Sequence, residues 1–192
     1  MKKNVLAFDF GASSGRAIVG EYDEGQLKMT EIHRFANGPI EEAGTLYWDI
    51  DYLFEQIIVA IKKAVKVYDI DSLGIDTWGV DFGLLNDQGE LLDKPVHYRD
   101  RRTKGMIEKV GQIIPLQELY ERTGNQVMEI NTLFQLFSIK EKNPEQLKKA
   151  ATLLMMPDLL NYLLTGVKRA ERSIASTSQI MNPVTKNGMN RC

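Results

Sequence analysis

"FDFGASSGRAIVG", residues 8–20, carries Asp9 near the end of one apolar run, then a Gly- and Ser-rich turn, then a second apolar run. A turn of this composition can cradle nucleotide phosphates, and the element after the turn decides the fold. A helix would indicate a dinucleotide or Walker-type site; a second strand would indicate a hairpin. The run Arg16–Tyr22 contains β-branched Ile18 and Val19 and reaches the turn signal Asp23-Glu24-Gly25 after too few residues for a crossover helix. It reads as a strand, antiparallel to "VLAFDF" (Val5–Phe10). The Walker pattern G-x-x-x-x-G-K-[ST] is absent, and the pattern G-x-G-x-x-G needs a helix directly afterwards. Backbone N–H groups of Gly11–Gly15 and the Ser13 and Ser14 hydroxyls can still surround phosphate oxygens as a nest, with Asp9 placed to hold Mg²⁺ through water. An ordinary Gly/Ser hairpin with a solvated aspartate accounts for the same residues.

Outward from the hairpin, the chain alternates extended and helical patterns. "LKMTEIHRF" (Leu27–Phe35) sets Leu27, Met29, Glu31, His33 and Phe35 on one face, so three strands in a meander open the domain. From Trp48 the period becomes helical, with Phe54, Ile57, Ile58, Ile61, Ala64, Val65 and Tyr68 as the apolar stripe and Asp49 or Asp51 as cap. Ser72–Asn86 is extended again, ending in a turn at Asn86–Gly89. Helices follow from about Thr103, over Leu116–Arg122, after Thr132 as N-cap, and from Pro144. "ATLLMMPDLLNYLLTG" reads as a buried strand, a proline turn and a helix stopped by Gly166. Met155, Met156 and the Leu133–Ile139 stripe read as core.

Composition limits the chemistry. The 192 residues suffice for one domain with its own core, and 43% hydrophobic with 26% charged residues fits a globular chain. A net charge of −2 gives no electrostatic reason to expect nucleic acid or a membrane as partner. The single cysteine, Cys192, excludes an internal disulfide and a cysteine-based zinc site, and the opening residues are too short an apolar run for a targeting segment. A cytoplasmic location is expected.

Further motifs, "EIHRF" (Glu31–Phe35), "WDID" (Trp48–Asp51), "IDTWGVDF" (Ile75–Phe82), "YRDRRT" (Tyr98–Thr103), "NTLFQL" (Asn131–Leu136) and "LLMMPDLLNYLLTG" (Leu153–Gly166), accompany "DFGASSGR" (Asp9–Arg16) in order. Together they resemble the N-terminal domain of the FGGY carbohydrate kinases. The resemblance implies an actin-like, ribonuclease-H-like α/β domain with a mixed sheet, the antiparallel meander at its start and flanking helices. It implies ATP-dependent, Mg²⁺-assisted phosphorylation of L-rhamnulose at its C1 hydroxyl, in rhamnose breakdown. Ribulose, xylulose and fuculose are the alternative ketoses, and a non-catalytic sugar- or phosphate-binding module is the alternative role.

Carried over residue by residue, Ala12, Ser13, Ser14, Gly15 and Arg16 match the ATP-phosphate motif, with Asp9 on the Mg²⁺ side. Gly79 matches a sugar-contacting position, and Trp78 and Asp81 flank it as candidates for stacking on the sugar and bonding its hydroxyls. Trp78 as packing residue and Asp81 as ion-pair partner of Arg99, Arg101 and Arg102 are the plainer assignments. His33 reads as structural. The family's catalytic aspartate lies in a His-Asp-Thr segment, and no such triplet occurs in this sequence. The expectation is therefore an incomplete N-terminal domain over 1–192, lacking the C-terminal adenosine-binding domain, inactive alone and prone to self-association through the uncovered interdomain surface.

Overall fold

The computed structural model describes residues 2–185 and 188, so the Cys192 reading lies outside the described residues. Strands β1 (Lys3–Phe10), β2 (Ser14–Asp23) and β3 (Gln26–Ala36) form the antiparallel meander. A short hairpin, β4 (Pro39–Glu42) and β5 (Thr45–Trp48), leads into helix α1 (Ile50–Ala64), which returns the chain to β6 (Ser72–Thr77). Strand β6 lies parallel to β1, giving a mixed four-stranded sheet in the order β3-β2-β1-β6.

Strict alternation in β1 drives this arrangement: Leu6, Phe8 and Phe10 are buried while their neighbours face outward. Ala17 and Val19 of β2 share that inner face, and α1 closes it with Ile50, Leu53, Ile57, Ala60 and Ala64. Each fully buried Leu or Ile contributes about 1.5–3 kcal/mol. The helix starts at Asp49, whose carboxylate accepts from Tyr52 N at 3.0 Å. The expected stripe is rotated by about one position: Leu53 and Ala60 form its centre, Phe54 and Ile58 are half-buried, and Val65 is exposed.

A bulge corrects the expected face of β3. The β2 register passes from Ala17↔His33 to Ile18↔Glu31, leaving Ile32 as the extra residue. Leu27, Met29 and Glu31 consequently point away from the face that holds His33 and Phe35, and Leu27 and Met29 are exposed.

After β6, strand β7 (Phe82–Leu85) pairs antiparallel with β8 (Thr152–Met155) as a separate ribbon. Between them lie a 3-10 turn (Arg101–Thr103), α2 (Met106–Gly111), α3 (Leu116–Thr123), α4 (Thr132–Lys142) and α5 (Pro144–Lys149). Helix α6 (Met156–Thr165) follows β8 directly, then α7 (Arg172–Ala175) and a 3-10 turn (Ser176–Ser178). Two expectations shift here. Asn131, not Thr132, precedes the first residue of α4, because the Thr132 hydroxyl is engaged elsewhere. Pro157 makes no separate turn; it sits in the first turn of α6, where its missing N–H costs nothing. Gly166 ends α6 in the left-handed conformation at φ 70°.

Candidate functional site

The two segments singled out by sequence leave the sheet side by side. Phe10↔Thr77 is the last register pair between β1 and β6, so the turn Gly11–Ser13 and the turn Trp78–Asp81 emerge from neighbouring strands at the same carboxyl end. Open α/β sheets bind ligands there.

The first turn is short and tightly tied. Gly11 N donates to Ser14 O at 2.9 Å, and Asn37 N donates to Ser13 O at 3.0 Å. The Asn37 side chain donates to Gly11 O at 2.8 Å, so a residue just past β3 clamps the turn from outside. Gly15 has no room for a side chain: a Cβ would stand 2.2 Å from the Phe35 ring. Ser13 is exposed. Arg16 faces Asp9 across the hairpin and donates to Asp9 Oδ2 through Nε at 2.8 Å and Nη2 at 2.6 Å, with both side chains about half exposed. An exposed pair of this kind is worth at most about 1 kcal/mol, so phosphate or a cation can part it cheaply. Asp76 lies beside Asp9 in the β1–β6 register, on the same sheet face. Among the described residues no group of three metal-ligating side chains stands together.

The second turn is strained. Val80 has φ 67°, and Asp81 N donates back to Gly79 O at 2.9 Å, closing a three-residue turn around a β-branched residue. Three side chains hold it there: Thr177 Oγ1 accepts from Val80 N at 3.1 Å, and Thr132 Oγ1 and Gln135 Nε2 donate to Val80 O at 2.6 and 3.3 Å. Gly79 is packed against Thr177, with a Cβ falling 2.9 Å from Thr177 Oγ1. Its lack of a side chain is thus already explained by protein packing.

Asp81 is completely buried. Its Oδ2 accepts from Trp48 Nε1 at 2.6 Å, Trp78 Nε1 at 3.0 Å and Tyr98 N at 3.2 Å, and its Oδ1 accepts from Gln135 Nε2 at 2.8 Å. Burial pushes the carboxyl up to about 6, and these donors oppose the rise. Both oxygens are thus engaged and no surface is exposed. One expectation is corrected: Asp81 does not pair directly with the arginines, since Arg99 and Arg101 are exposed and Arg102 reaches it only through Gln135, donating to Gln135 Oε1 at 2.6 Å.

Four rings stack beside the turn. Trp78 lies on Trp48 at 3.8 Å between centroids, Trp48 on His97 at 4.0 Å, and His97 on Tyr98 at 4.5 Å. The segment carrying His97 is paired with β5 through His97 N to Leu46 O at 2.9 Å, which brings these rings into register. His97 is buried, and burial, followed by Arg99, lowers it to about 4, so the ring is neutral near pH 7. Trp78 remains half-buried at the end of the column, as its packing assignment requires and with part of its surface open. His33, as expected, is structural, bonding Gln56 Oε1 of α1 at 2.8 Å. Trp48, Gln135, Thr177 and Asn37 carried no motif signal of their own, although "WDID" and "NTLFQL" contain the first two.

Residues 4–187 match the FGGY family of carbohydrate kinases, N-terminal domain. The chain belongs to this family. It is 46% identical over 187 residues to a rhamnulokinase of Oceanobacillus iheyensis, covering 97% of this chain and 40% of that protein. It is 44% identical over 182 residues to a rhamnulokinase of Bacillus subtilis, covering 94% and 37%. The chain thus spans about two fifths of the length of the curated relatives it matches. The FGGY fold is shared with a ligand-bound xylulose kinase from Lactobacillus acidophilus (TM-score 0.85, 18% identity, 98% of this chain, 38% of that one). It is shared too with a Plasmodium falciparum glycerol kinase solved with ADP (TM-score 0.77, 17% identity, 99% and 40%).

Proposed function

We propose that this chain is the N-terminal part of an ATP-dependent kinase that phosphorylates L-rhamnulose at C1. The observation that carries the reading is the placement of the Gly11–Ser13 turn and the Trp78–Asp81 turn at one end of adjacent strands. A phosphate and a sugar held there meet across one strand spacing. The choice of L-rhamnulose among ketoses rests on the rhamnulokinases to which the chain is similar.

In this reading the N–H groups of Ala12, Ser13, Ser14 and Gly15 and the two serine hydroxyls receive phosphate oxygens. Arg16 swings from Asp9 to the phosphate and neutralises charge there; the freed Asp9, beside Asp76, orients water around the nucleotide's cation. Bound Mg²⁺ supplies further charge neutralisation during transfer. The turn at Gly79 presents backbone to the sugar and Trp78 presents ring surface. Transfer breaks the sugar C1 O–H and the bond from the γ-phosphorus to its bridging oxygen, forms the new O–P bond, and releases ADP and a proton. That proton needs a free carboxylate. Asp81, with both oxygens occupied, is not offered as that base; the family resemblance assigns the base to a His-Asp-Thr segment, a triplet this sequence does not contain. The same reading puts the protein in the cytoplasm with sugar and nucleotide, not nucleic acid or membrane, as its ligands. It further has the uncovered interdomain surface support self-association.

The test is a tryptophan-fluorescence titration of the chain with L-rhamnulose, L-fuculose, D-xylulose and D-ribulose. L-Rhamnulose is expected to change the emission at the lowest concentration. An equal response to all four, or none to any, refutes the sugar assignment.

A further inference from the structure

We propose that Asp81 is a positioning residue, whose buried carboxylate sets the plane of the Trp78 indole that faces the sugar and locks the turn that carries it. The ligand's identity rests on the kinase reading above; the positioning itself does not. A fully buried carboxylate with no cation in direct contact is costly to maintain, and an apolar side chain of similar volume would spare that cost while leaving four donors unpaired. Those donors come from four separate segments: Trp48 at the end of β5, Trp78 in the turn, Tyr98 after β7, and Gln135 in α4. Three of them converge on the single oxygen Oδ2. Through it, both indoles and the backbone beneath Tyr98 are fixed relative to one another, which aligns the whole four-ring column.

The far oxygen is anchored as firmly. Gln135 donates to Oδ1 and to Val80 O, and its own oxygen is held by Arg102, so the carboxylate and the strained Val80 share one support. Val80 keeps its left-handed conformation because Thr132, Gln135 and Thr177 over-determine it. Ring plane and turn backbone are therefore set before any ligand arrives, and the cost of ordering them is met in folding instead of binding. The inner face of Trp78 is covered by Trp48, and its remaining open surface suits the apolar C–H and methyl face of a deoxy sugar.

The chain has two tryptophans, both in this column, so its indole N–H resonances report on nothing else. In ¹H–¹⁵N spectra of the 192-residue chain, Asp81→Asn keeps the shape, leaves a neutral carbonyl oxygen toward the two indoles and sets an NH₂ group against Gln135 Nε2, which the carboxylate had accepted from. Both indole protons are expected to move upfield, and the response of Trp78 to added L-rhamnulose to weaken at least about fivefold, the change that one weakened charge-assisted hydrogen bond carries. Asp81→Leu removes every acceptor and is expected to abolish the dichroism of the stacked indoles. Unchanged indole resonances in Asp81→Asn, or a wild-type sugar response that Asp81→Asn keeps in full, overturn the proposal. If L-rhamnulose moves neither indole in the wild type while Asp81→Asn shifts both, the positioning stands and the rhamnulose reading falls.

Discussion

Replacing Asp81 by Asn should change the slope of stability against pH, because two buried groups in one column titrate in opposite senses. The Asp81 carboxyl is raised from 3.8 to about 6, chiefly by burial, so the folded state binds its proton more tightly than the unfolded chain does. Its stabilising contribution is complete below 3.8 and is lost as pH rises through about 6. A rise of that size corresponds to about 3 kcal/mol. His97 is lowered from 6.5 to about 4, again chiefly by burial, so its contribution is complete above 6.5 and is lost as pH falls through about 4. That loss is at most about 3 kcal/mol, reduced by whatever water screens the ring. The two windows overlap between about pH 4 and 6, and there the slopes nearly cancel in the wild type. Asp81→Asn removes the first and leaves the second. Urea unfolding of both proteins at a series of pH values should then show the variant gaining up to about 3 kcal/mol relative to wild type across that window. All other titrating groups are common to the two proteins and cancel in the difference. Stability profiles that run parallel would show that the Asp81 carboxyl binds its proton equally in the folded and unfolded chain.

Gly15→Ala should cost about 1–3 kcal/mol in urea unfolding, because its Cβ would meet the buried Phe35 ring at 2.2 Å. Phe35→Leu in the same chain should return part of that loss, and strictly additive costs would show that the ring is not the obstacle. Gly79→Ala should weaken the fluorescence response to L-rhamnulose much more than any response to ATP, and Thr177→Gly should partly restore it by clearing the 2.9 Å contact. Equal weakening of both responses would mean that Gly79 is only a turn residue.

The meander is legible in the sequence because its signals are local. Ile18, Val19 and the early Asp23-Glu24-Gly25 turn leave no length for a helix after the Gly-rich turn, and β1 alternates without exception. The phase of β3 is not, since a bulge at Ile32 depends on how β2 pairs with it and leaves no mark in the spacing of Leu27–Phe35. At the site, "DFGASSGR" and "TWGVDF" both prove to be turns at one sheet end. The role of Asp81 is hidden because its partners lie far off in sequence: Trp48 is 33 residues before it and Gln135 54 after. An aspartate between a turn and an apolar run looks the same whether solvent or two indoles surround it. Thr177 is equally hidden, as its contact with Gly79 spans much of the domain.

Whether these residues hold sugar and phosphate together for transfer to L-rhamnulose is decided by joining this chain to the part of the Bacillus subtilis relative that it does not span. The folded chimera is then assayed with Mg-ATP and the four ketoses. L-Rhamnulose 1-phosphate is expected as the preferred product, lost on Arg16→Ala, with no turnover by the 192-residue chain alone. A folded chimera that phosphorylates none of the four would overturn the kinase assignment, one that prefers another ketose would overturn the choice of L-rhamnulose, and turnover by the chain alone would overturn the placement of the base outside these residues.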